Sequence, residues 1–248
     1  MNPLRKLCRS LGFDVVPFRK DALPPDFDAE AQRIIRDVRP FTMTSPERLF
    51  AFIESVRHVE RCKLPGAIVE CGVWRGGSMM AAALALKSLA ATDRELFLYD
   101  TFEGMTKPTE QDVNYKGGAA SATFDRTKTS DDRADWCLAR KDEVRAALES
   151  TGYPAARIHL VPGKVEETLP QHAPAQIAVL RLDTDWYEST RHELEHLWPR
   201  LVSGGVLIID DYGYWQGCRK AVDEFFARGN QPVLLHRSDL TGRVAIKA

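Results

Sequence analysis

A glycine turn and two acidic segments are the parts of this sequence whose residue types and spacing could do chemistry. Residues 68–78 pass from an apolar run into a turn that holds three glycines. Residues 180–185 and 207–211 pass from apolar runs into the carboxylates of Asp183, Asp185, Asp210 and Asp211. Buried parallel strands end in this way when they present functional groups at the C-terminal edge of a sheet. We therefore predict an enzyme, with a nucleotide-like ligand at the glycine turn and a hard metal ion at the carboxylates.

The spacing of the glycine turn argues against a dinucleotide. Gly72 and Gly76 do not fit the G-x-G-x-x-G pattern, and Trp74 and Arg75 leave less room for a diphosphate. S-adenosylmethionine has no phosphate, and it needs a glycine turn together with an acid on the next strand for its ribose hydroxyls. Asp100 ends the next apolar run, 28 residues after Gly72, as one β-α-β unit requires. We expect Asp100 to bind the ribose; a helix-capping turn followed by a strand-end Asp is the structural alternative.

The four carboxylates are expected to converge because the fourth and fifth predicted strands are neighbours. Like charges within about 4–6 Å repel and raise each other's pKa values. Mg²⁺ removes this conflict, since it prefers oxygen ligands and leaves positions open for water and substrate hydroxyls. We expect Asp183, Asp210 and Asp211 to be metal ligands and Asp185 to accept a substrate proton, although Asp183 and Asp185 could exchange roles. Helix capping and ion pairing at strand ends form the alternative without a metal.

The sequence from His192 to His196 matches the H-E-x-x-H pattern of zinc proteases. The apolar stripe of the predicted helix runs through Leu194, and at about 100° per residue both histidines fall opposite that stripe. Thr190 and Glu193 also fit a capping box, which gives the glutamate another role. We therefore expect both histidines to face solvent and predict no zinc site here.

Repeated alternation of strands and helices predicts a doubly wound, mostly parallel sheet of seven strands with helices on both faces. Apolar runs without strict alternation predict strands at 67–71, 95–100, 157–161, 177–183, 205–210, 233–237 and 243–247. Helical patterns lie at 46–62, 78–91, 139–150, 165–169, 190–201 and 216–228. Only residues 238–242 join the last two strands, too few for a parallel crossover, so these strands must form an antiparallel hairpin. This Rossmann-like arrangement is that of class I methyltransferases.

The chain divides into two predicted regions. Residues 1–40 are expected to form an N-terminal accessory region with a break at Pro24-Pro25, and residues 41–248 the S-adenosylmethionine-dependent methyltransferase domain. Residues 101–138 are polar, contain glycine and show little periodicity. Because they directly follow the second strand, we expect them to be a functional lid over the cofactor edge.

Composition excludes several classes of protein. The 248 residues carry a net charge of −1, which gives no electrostatic reason for a nucleic-acid partner. The five cysteines contain no C-x-x-C pair, so a zinc ribbon or disulfide framework is not expected and a reducing cytoplasm fits. No run approaches the roughly 20 apolar residues that span a bilayer, and the amphipathic residues 1–13 are too weakly basic to favour a membrane surface. We expect a cytoplasmic homo-oligomer without stable membrane insertion.

Several segments resemble the family of macrocin and mycinamicin sugar O-methyltransferases, which includes the methyltransferase acting on the novobiose sugar of novobiocin. These segments are PGAIVECGVWRGGSMM (65–80), YDTFEGM (99–105), LDTDWYEST (182–190) and GVLIIDDY (205–212). Residues 41–44 resemble a segment that lies near the cofactor in this family. The resemblance covers residues 40 to 247 and is weakest at 106–135, where the acceptor is chosen. It implies S-adenosylmethionine as methyl donor, a Mg²⁺ held by three aspartates, and a further aspartate as base.

The motifs and the resemblance together predict that the cofactor is bound by Met43, Thr44, Glu70, Gly72, Gly76, Ser78, Asp100, Thr101 and Phe102. The adenine ring would pack on Phe102 or Met105. The predicted function is methylation of a sugar hydroxyl in a small-molecule glycoside, glycolipid or polysaccharide. Three alternatives remain open at this point: a metal-dependent relative of the cephalosporin hydroxylase-like proteins, an O-methyltransferase for a catechol-like acceptor, and a non-catalytic nucleotide-binding module.

Overall fold

The structure, a computed structural model, describes residues 3–13, 23–229 and 233–248. Residues 14–22 of the predicted accessory region lie outside the described residues. The strands are β1 Ala67–Cys71, β2 Leu96–Asp100, β3 Met105–Thr106, β4 Arg133–Ala134, β5 Ile158–Pro162, β6 Ile177–Leu182, β7 Leu201–Ile209, β8 His236–Arg237 and β9 Arg243–Ile246. The α-helices are α1 Pro3–Ser10, α2 Ala29–Val38, α3 Pro46–Arg61, α4 Gly77–Ser88, α5 Ser121–Thr127, α6 Lys141–Ser150, α7 Val165–Thr168, α8 Tyr187–Leu197 and α9 Gln216–Ala227.

Seven strands form the main sheet in the order β5-β2-β1-β6-β7-β9-β8. The first five are parallel to their neighbours, β9 runs antiparallel to β7, and β8 runs antiparallel to β9. The predicted fold class is therefore confirmed, including the antiparallel hairpin at the C-terminal end. The sixth strand is shorter than predicted, since only residues 236–237 of the expected 233–237 pair with β9.

The central strands are covered on both faces, as their apolar sequences predict. Every residue of β1 and of β6 is buried. One apolar core lies between the sheet and α2, α3, α4 and α6, and a second lies between the sheet and α7, α8 and α9. Because parallel strands end at the same edge, this packing brings the glycine turn after β1, the end of β2 and the acidic ends of β6 and β7 together.

Helix α8 differs from its predicted span of 190–201 at both ends. It begins three residues earlier, where the buried carboxylate of Asp112 accepts a hydrogen bond from the backbone N–H of Tyr187 at 2.9 Å. It ends at Leu197, and a short 3-10 helix with Pro199 follows. Proline lacks the N–H that the next helical turn needs, which explains the C-terminal end. The N-terminal cap comes from a residue 75 positions away, so the local sequence could not show it.

Residues before the predicted domain boundary at 40 contribute to the first core. Ile34, Ile35 and Val38 on α2 are buried in it. The chain then passes close to α4, since a Cβ built on Gly77 would lie 2.6 Å from the carbonyl oxygen of Phe41. This contact places residues 41–44 beside the glycine turn. Among the described residues, no helix combines the length and apolarity that crossing a membrane requires.

Candidate active site

A cavity of about 530 Å³ opens at the C-terminal edge of the sheet. Its walls combine the glycine turn, the acidic strand ends and the predicted lid. Most of the predicted site residues line it, namely Met43, Thr44, Gly72, Ser78, Asp100, Thr101, Asp183, Asp185, Asp210 and Asp211. The lid contributes Met105, Thr106, Asn114, Ala119, Thr123, Trp136 and Cys137. The structure thus brings the predicted cofactor edge and the predicted acidic edge into one space.

Asp100 joins the end of β2 to the glycine turn. Its Oδ2 accepts hydrogen bonds from the backbone N–H groups of Val73 (2.7 Å) and Trp74 (3.1 Å), and its Oδ1 accepts from that of Phe102 (2.8 Å). Burial raises the pKa of Asp100, and these backbone donors act in the opposite direction. Trp74 and Phe102 both have positive φ angles, of 45° and 55°. The carboxylate is therefore held at the cavity wall by a backbone geometry that non-glycine residues rarely adopt.

Three predicted cofactor residues do not line the cavity. Glu70 is fully buried and forms an ion pair with Arg181. Gly76 faces α6, where an added Cβ would lie 2.8 Å from Leu148 Cδ2. Phe102 packs into the first apolar core. Of the two side chains considered for the adenine, the structure places Met105 on the cavity wall.

Asp183, Asp185 and Asp211 form a carboxylate group at the acidic edge. One oxygen from each lies within 4.8 Å of the others. Removal from water raises the pKa of both Asp183 and Asp185 to about 7. Burial and the neighbouring Asp185 raise the pKa of Asp211 as well. The Oδ2 atom of Asp211 is buried and has no hydrogen-bond partner among the described residues. An orphaned acceptor beside two further carboxylates is a donor set that suits a hard cation.

Asp210 lies outside this carboxylate group although it precedes Asp211 in the chain. Its Oδ1 pairs with Arg181 and its Oδ2 with Arg48 of α3. Consecutive residues at a strand end point to opposite sides, so Asp210 and Asp211 meet different neighbours. The structure therefore gives Asp210 two arginine partners, and its predicted role as a metal ligand stays a prediction.

Arg181 is the principal feature of the site that the sequence prediction missed. It lies on β6, and its side chain is 2% exposed. Its guanidinium contacts Glu70, Asp183 and Asp210. A signal was present, since a charge inside an apolar strand must be paired when it is buried. The sequence alone could not show which carboxylates pair with it.

Aromatic rings form one wall beside the carboxylate group. Trp215 and Trp186 lie 5.1 Å apart between ring centroids, and Trp136 lies 5.6 Å from Trp186. Tyr214 packs on Trp215 at 5.0 Å. Backbone hydrogen bonds attach the lid to this wall, from the Tyr115 N–H to the Tyr214 carbonyl and from the Gln216 N–H to the Val113 carbonyl, both at 2.8 Å.

The H-E-x-x-H segment does not contribute to the cavity lining that the described residues form. His192 and His196 are half-buried rather than solvent-facing, because their rings pack together at 4.3 Å and His192 Nε2 lies 3.3 Å from the Leu169 carbonyl oxygen. The expected capping box is also wrong. Since α8 begins at Tyr187, Glu193 lies within the helix and accepts a 2.8 Å hydrogen bond from the Thr184 hydroxyl.

Comparison with known proteins shows that the chain is similar to O-methyltransferases. The model of the macrocin-O-methyltransferase (TylF) family matches residues 19–244. The chain is 33% identical over 227 residues to the 8-demethyl-8-(2,3-dimethoxy-alpha-L-rhamnosyl)-tetracenomycin-C 4'-O-methyltransferase of Streptomyces olivaceus, covering 91% of this chain and 83% of that protein. It is 32% identical over 184 residues to the mycinamicin III 3''-O-methyltransferase of Micromonospora griseorubida, covering 74% of this chain and 69% of that protein.

Solved structures show the same fold. The O-methyltransferase NovP superposes with a TM-score of 0.73 at 30% identity, over 84% of this chain and 82% of that one. The calicheamicin methyltransferase CalS11 superposes with a TM-score of 0.60 at 20% identity, over 94% of this chain and 98% of that one. At that identity the second similarity concerns the fold alone.

Proposed function

The chain belongs to the macrocin-O-methyltransferase (TylF) family and is an O-methyltransferase, and from this premise we propose that it transfers the methyl group of S-adenosylmethionine to a sugar hydroxyl of a glycoside, with Mg²⁺ as a required ion. The observation that carries the proposal is the shared cavity. Asp100 and the glycine turn line one part of it, and the carboxylate group of Asp183, Asp185 and Asp211 lines another. Donor and acceptor can therefore meet in one cavity.

The cofactor half is proposed to hold S-adenosylmethionine through Asp100. This carboxylate lies on the cavity wall, where ribose hydroxyls could donate to it beside its backbone donors. Met105 offers an apolar surface for the adenine, and the segment at Met43 and Thr44 closes the adjoining wall. Gly72 leaves the turn without a side chain at the point nearest the acidic edge.

The residues present fit a divalent cation. Asp211 Oδ2 lacks a partner among the described residues, and Asp183 and Asp185 supply the nearest carboxylate oxygens. We propose Asp183 and Asp211 as metal ligands. The third ligand is proposed to be Asp210 after it leaves its arginine partners, so that Asp185 is free to act as the base. If Asp210 keeps those partners, two carboxylates hold the ion and water completes its coordination. When bound, the ion would neutralise the carboxylates and lower the pKa of an acceptor hydroxyl.

Asp185 is proposed to take the proton from the acceptor hydroxyl. Removal from water raises its pKa in the metal-free site, and a bound Mg²⁺ would lower it again, so its role as base rests on position. One of its carboxylate oxygens lies within 4.8 Å of oxygens of Asp183 and Asp211, within reach of a hydroxyl held at that edge. Its positive φ of 71° is an unusual backbone conformation for a non-glycine residue, of the kind that occurs at functional sites. The aromatic rings of Trp136, Tyr214 and Trp215 line the same cavity and offer apolar faces on which a sugar ring can pack.

The test is methyl transfer from labelled S-adenosylmethionine to a panel of acceptors, with and without chelation of divalent ions. The panel includes rhamnosides and other deoxysugar glycosides, together with a catechol. Transfer to a glycoside that stops with EDTA and returns with Mg²⁺ supports the proposal. Transfer only to the catechol, or cofactor binding without any turnover, contradicts it. We also propose a cytoplasmic homo-oligomer, and light scattering during gel filtration measures the oligomeric state.

A further inference from the structure

Arg181 lines the cavity and contacts both the acidic edge, through Asp183, and the predicted cofactor side, through Thr44. We propose that Arg181 is a positioning residue, which fixes the carboxylate of Asp183 for the metal and proton chemistry; this inference rests on the proposed function. Arg181 precedes Asp183 by two residues at the end of β6, so both side chains lie on the same side of the strand. Its Nη1 atom lies 2.8 Å from Asp183 Oδ2.

The other partners of Arg181 come from different parts of the fold. Nη1 also pairs with Glu70 on β1, and Nη2 pairs with Asp210 after β7. Nη2 further donates to the Thr44 hydroxyl at 3.0 Å. The one guanidinium therefore contacts groups at the ends of three adjacent strands and the segment that borders the predicted cofactor pocket. A shift of Arg181 would release all of them together.

The arrangement requires the shape of arginine. Its two terminal nitrogens make divergent contacts in one plane, and this geometry is fixed by the guanidinium itself. A lysine at position 181 would keep the charge but would offer a single nitrogen. That nitrogen cannot hold Asp183 and Asp210 in the present directions at the same time. Asp183 would then be free to turn away from Asp185 and Asp211.

Arg94 provides a matched control for a purely structural effect. Its side chain is 10% exposed, and it pairs with Glu60 and donates to the carbonyl oxygens of Gly66 and Leu64. It does not line the cavity as the described residues form it. Arg94→Lys therefore weakens a buried arginine network of similar size without touching the acidic edge.

The experiment compares Arg181→Lys and Arg94→Lys with the wild-type protein. Mn²⁺ binding and S-adenosylhomocysteine binding are each measured by calorimetry, and turnover is measured at saturating metal. We expect Arg181→Lys to weaken Mn²⁺ binding by about 10–100-fold, the usual effect of losing an outer partner of a metal ligand. Its affinity for S-adenosylhomocysteine should fall less than its affinity for Mn²⁺, since Arg181 reaches the cofactor side only through Glu70 and Thr44. Turnover should fall. Arg94→Lys should leave Mn²⁺ binding unchanged.

Wild-type Mn²⁺ affinity and turnover in Arg181→Lys overturn the positioning role while leaving the proposed function intact. A wild-type protein that binds no Mn²⁺ overturns both. If Arg181→Lys does not fold, the double variant Glu70→Leu/Arg181→Met removes the buried charge of Arg181 together with that of its fully buried partner. Asp210 keeps Arg48, and Asp183 is 25% exposed to solvent. That variant should fold and bind Mn²⁺ weakly, and normal binding by it also overturns the inference.

Discussion

Gly72 and Asp183 lie in direct backbone contact, and this contact joins the glycine turn to the acidic edge. A Cβ built on Gly72 would lie 2.6 Å from the carbonyl carbon of Asp183 and would overlap the carbonyl oxygen. The Asp183 N–H donates to the Cys71 carbonyl oxygen at 2.8 Å, so β1 and β6 are paired up to this point. The separation between the proposed cofactor site at the glycine turn and the proposed metal ligand Asp183 is therefore set by two backbones.

Gly72→Ala should destabilise the protein and weaken cofactor binding together. The added methyl group meets the Asp183 peptide, and the φ of +80° is unfavourable for alanine, so we expect a loss of roughly 2–4 kcal/mol in the free energy of unfolding. Gly229→Ala is the control, because its φ of +86° is similar but nothing lies within 4 Å of its added Cβ. It should cost about 1 kcal/mol. Urea denaturation measures the free energy of unfolding of both variants, and calorimetry with S-adenosylhomocysteine measures cofactor binding. Equal losses of unfolding free energy in the two variants would contradict the importance of the Gly72–Asp183 contact.

Asp100→Ala should weaken the binding of S-adenosylhomocysteine by roughly 1.5–3 kcal/mol, the range for losing hydrogen bonds to a charged group. The variant also frees the Val73 and Trp74 N–H groups from their acceptor. Calorimetry with S-adenosylhomocysteine and with NAD makes the comparison. Tight binding of NAD together with no binding of S-adenosylhomocysteine to the wild-type protein would rule out the proposed cofactor.

Nearly isosteric Asp→Asn variants separate the base from the ligands. Asp183→Asn should raise the Mg²⁺ concentration needed for half-maximal activity, because a neutral amide is a poorer ligand for a hard cation than a carboxylate. Asp185→Asn should retain cofactor and acceptor binding while turnover falls by ~10²–10⁴-fold. Reversed phenotypes would exchange the two roles, and unchanged turnover in both variants would mean that the acidic edge is structural.

Asp210→Asn decides the third metal ligand. If Asp210 keeps its pairs with Arg48 and Arg181, the variant should change the half-maximal Mg²⁺ concentration less than Asp211→Asn does. A loss equal to that of Asp211→Asn would show that Asp210 leaves its arginines to bind the ion. Mg²⁺ titrations of turnover in the two variants provide the measurement.

Replacing His192 and His196 together with alanine should leave methyl transfer within about twofold of wild type, since a change away from the reacting groups removes no transition-state interaction. Both rings lie outside the cavity lining given by the described part of the chain. Because the side chains are half-buried, thermal unfolding is measured in parallel. Loss of activity with unchanged stability would show that the H-E-x-x-H segment takes part in catalysis.

Asp28 stabilises the start of α2 in a pH-dependent way. It caps the helix by accepting from the N–H groups of Glu30 and Ala31, and its hydrogen bond with Arg57 lowers its pKa to about 2. Its ionised form thus favours the folded state above the ordinary pKa near 4, and that contribution disappears as the pH falls through about 2. Asp28→Ala should cost about 1 kcal/mol at pH 7, and Asp28→Asn, which keeps a capping oxygen, should cost less. Denaturation measures the free energy of unfolding of both variants. Equal losses in Asp28→Ala and Asp28→Asn would show that the carboxylate charge, rather than the capping hydrogen bonds, stabilises the helix.

The sequence determined where the sheet strands run and which chemical groups stand at their ends. Uninterrupted apolar runs such as those of β1 and β6 indicate strands buried on both faces, and the glycines and aspartates that stop them indicate the functional edge. The connection of five residues between the last two predicted strands was enough to require the antiparallel hairpin. These features depend on local composition, so a single chain reveals them.

Only the tertiary structure decided which of these groups face each other. Asp210 and Asp211 are neighbours in sequence, yet one meets Arg48 from a helix 162 residues earlier and the other joins Asp183 and Asp185. Phe102 enters the apolar core while Met105 lines the cavity. Side chains at a strand end point alternately to opposite sides, and their partners come from elements packed there from distant parts of the chain. Local patterns carry no record of those long-range contacts, which is why the pairing of Arg181 became visible only in the fold.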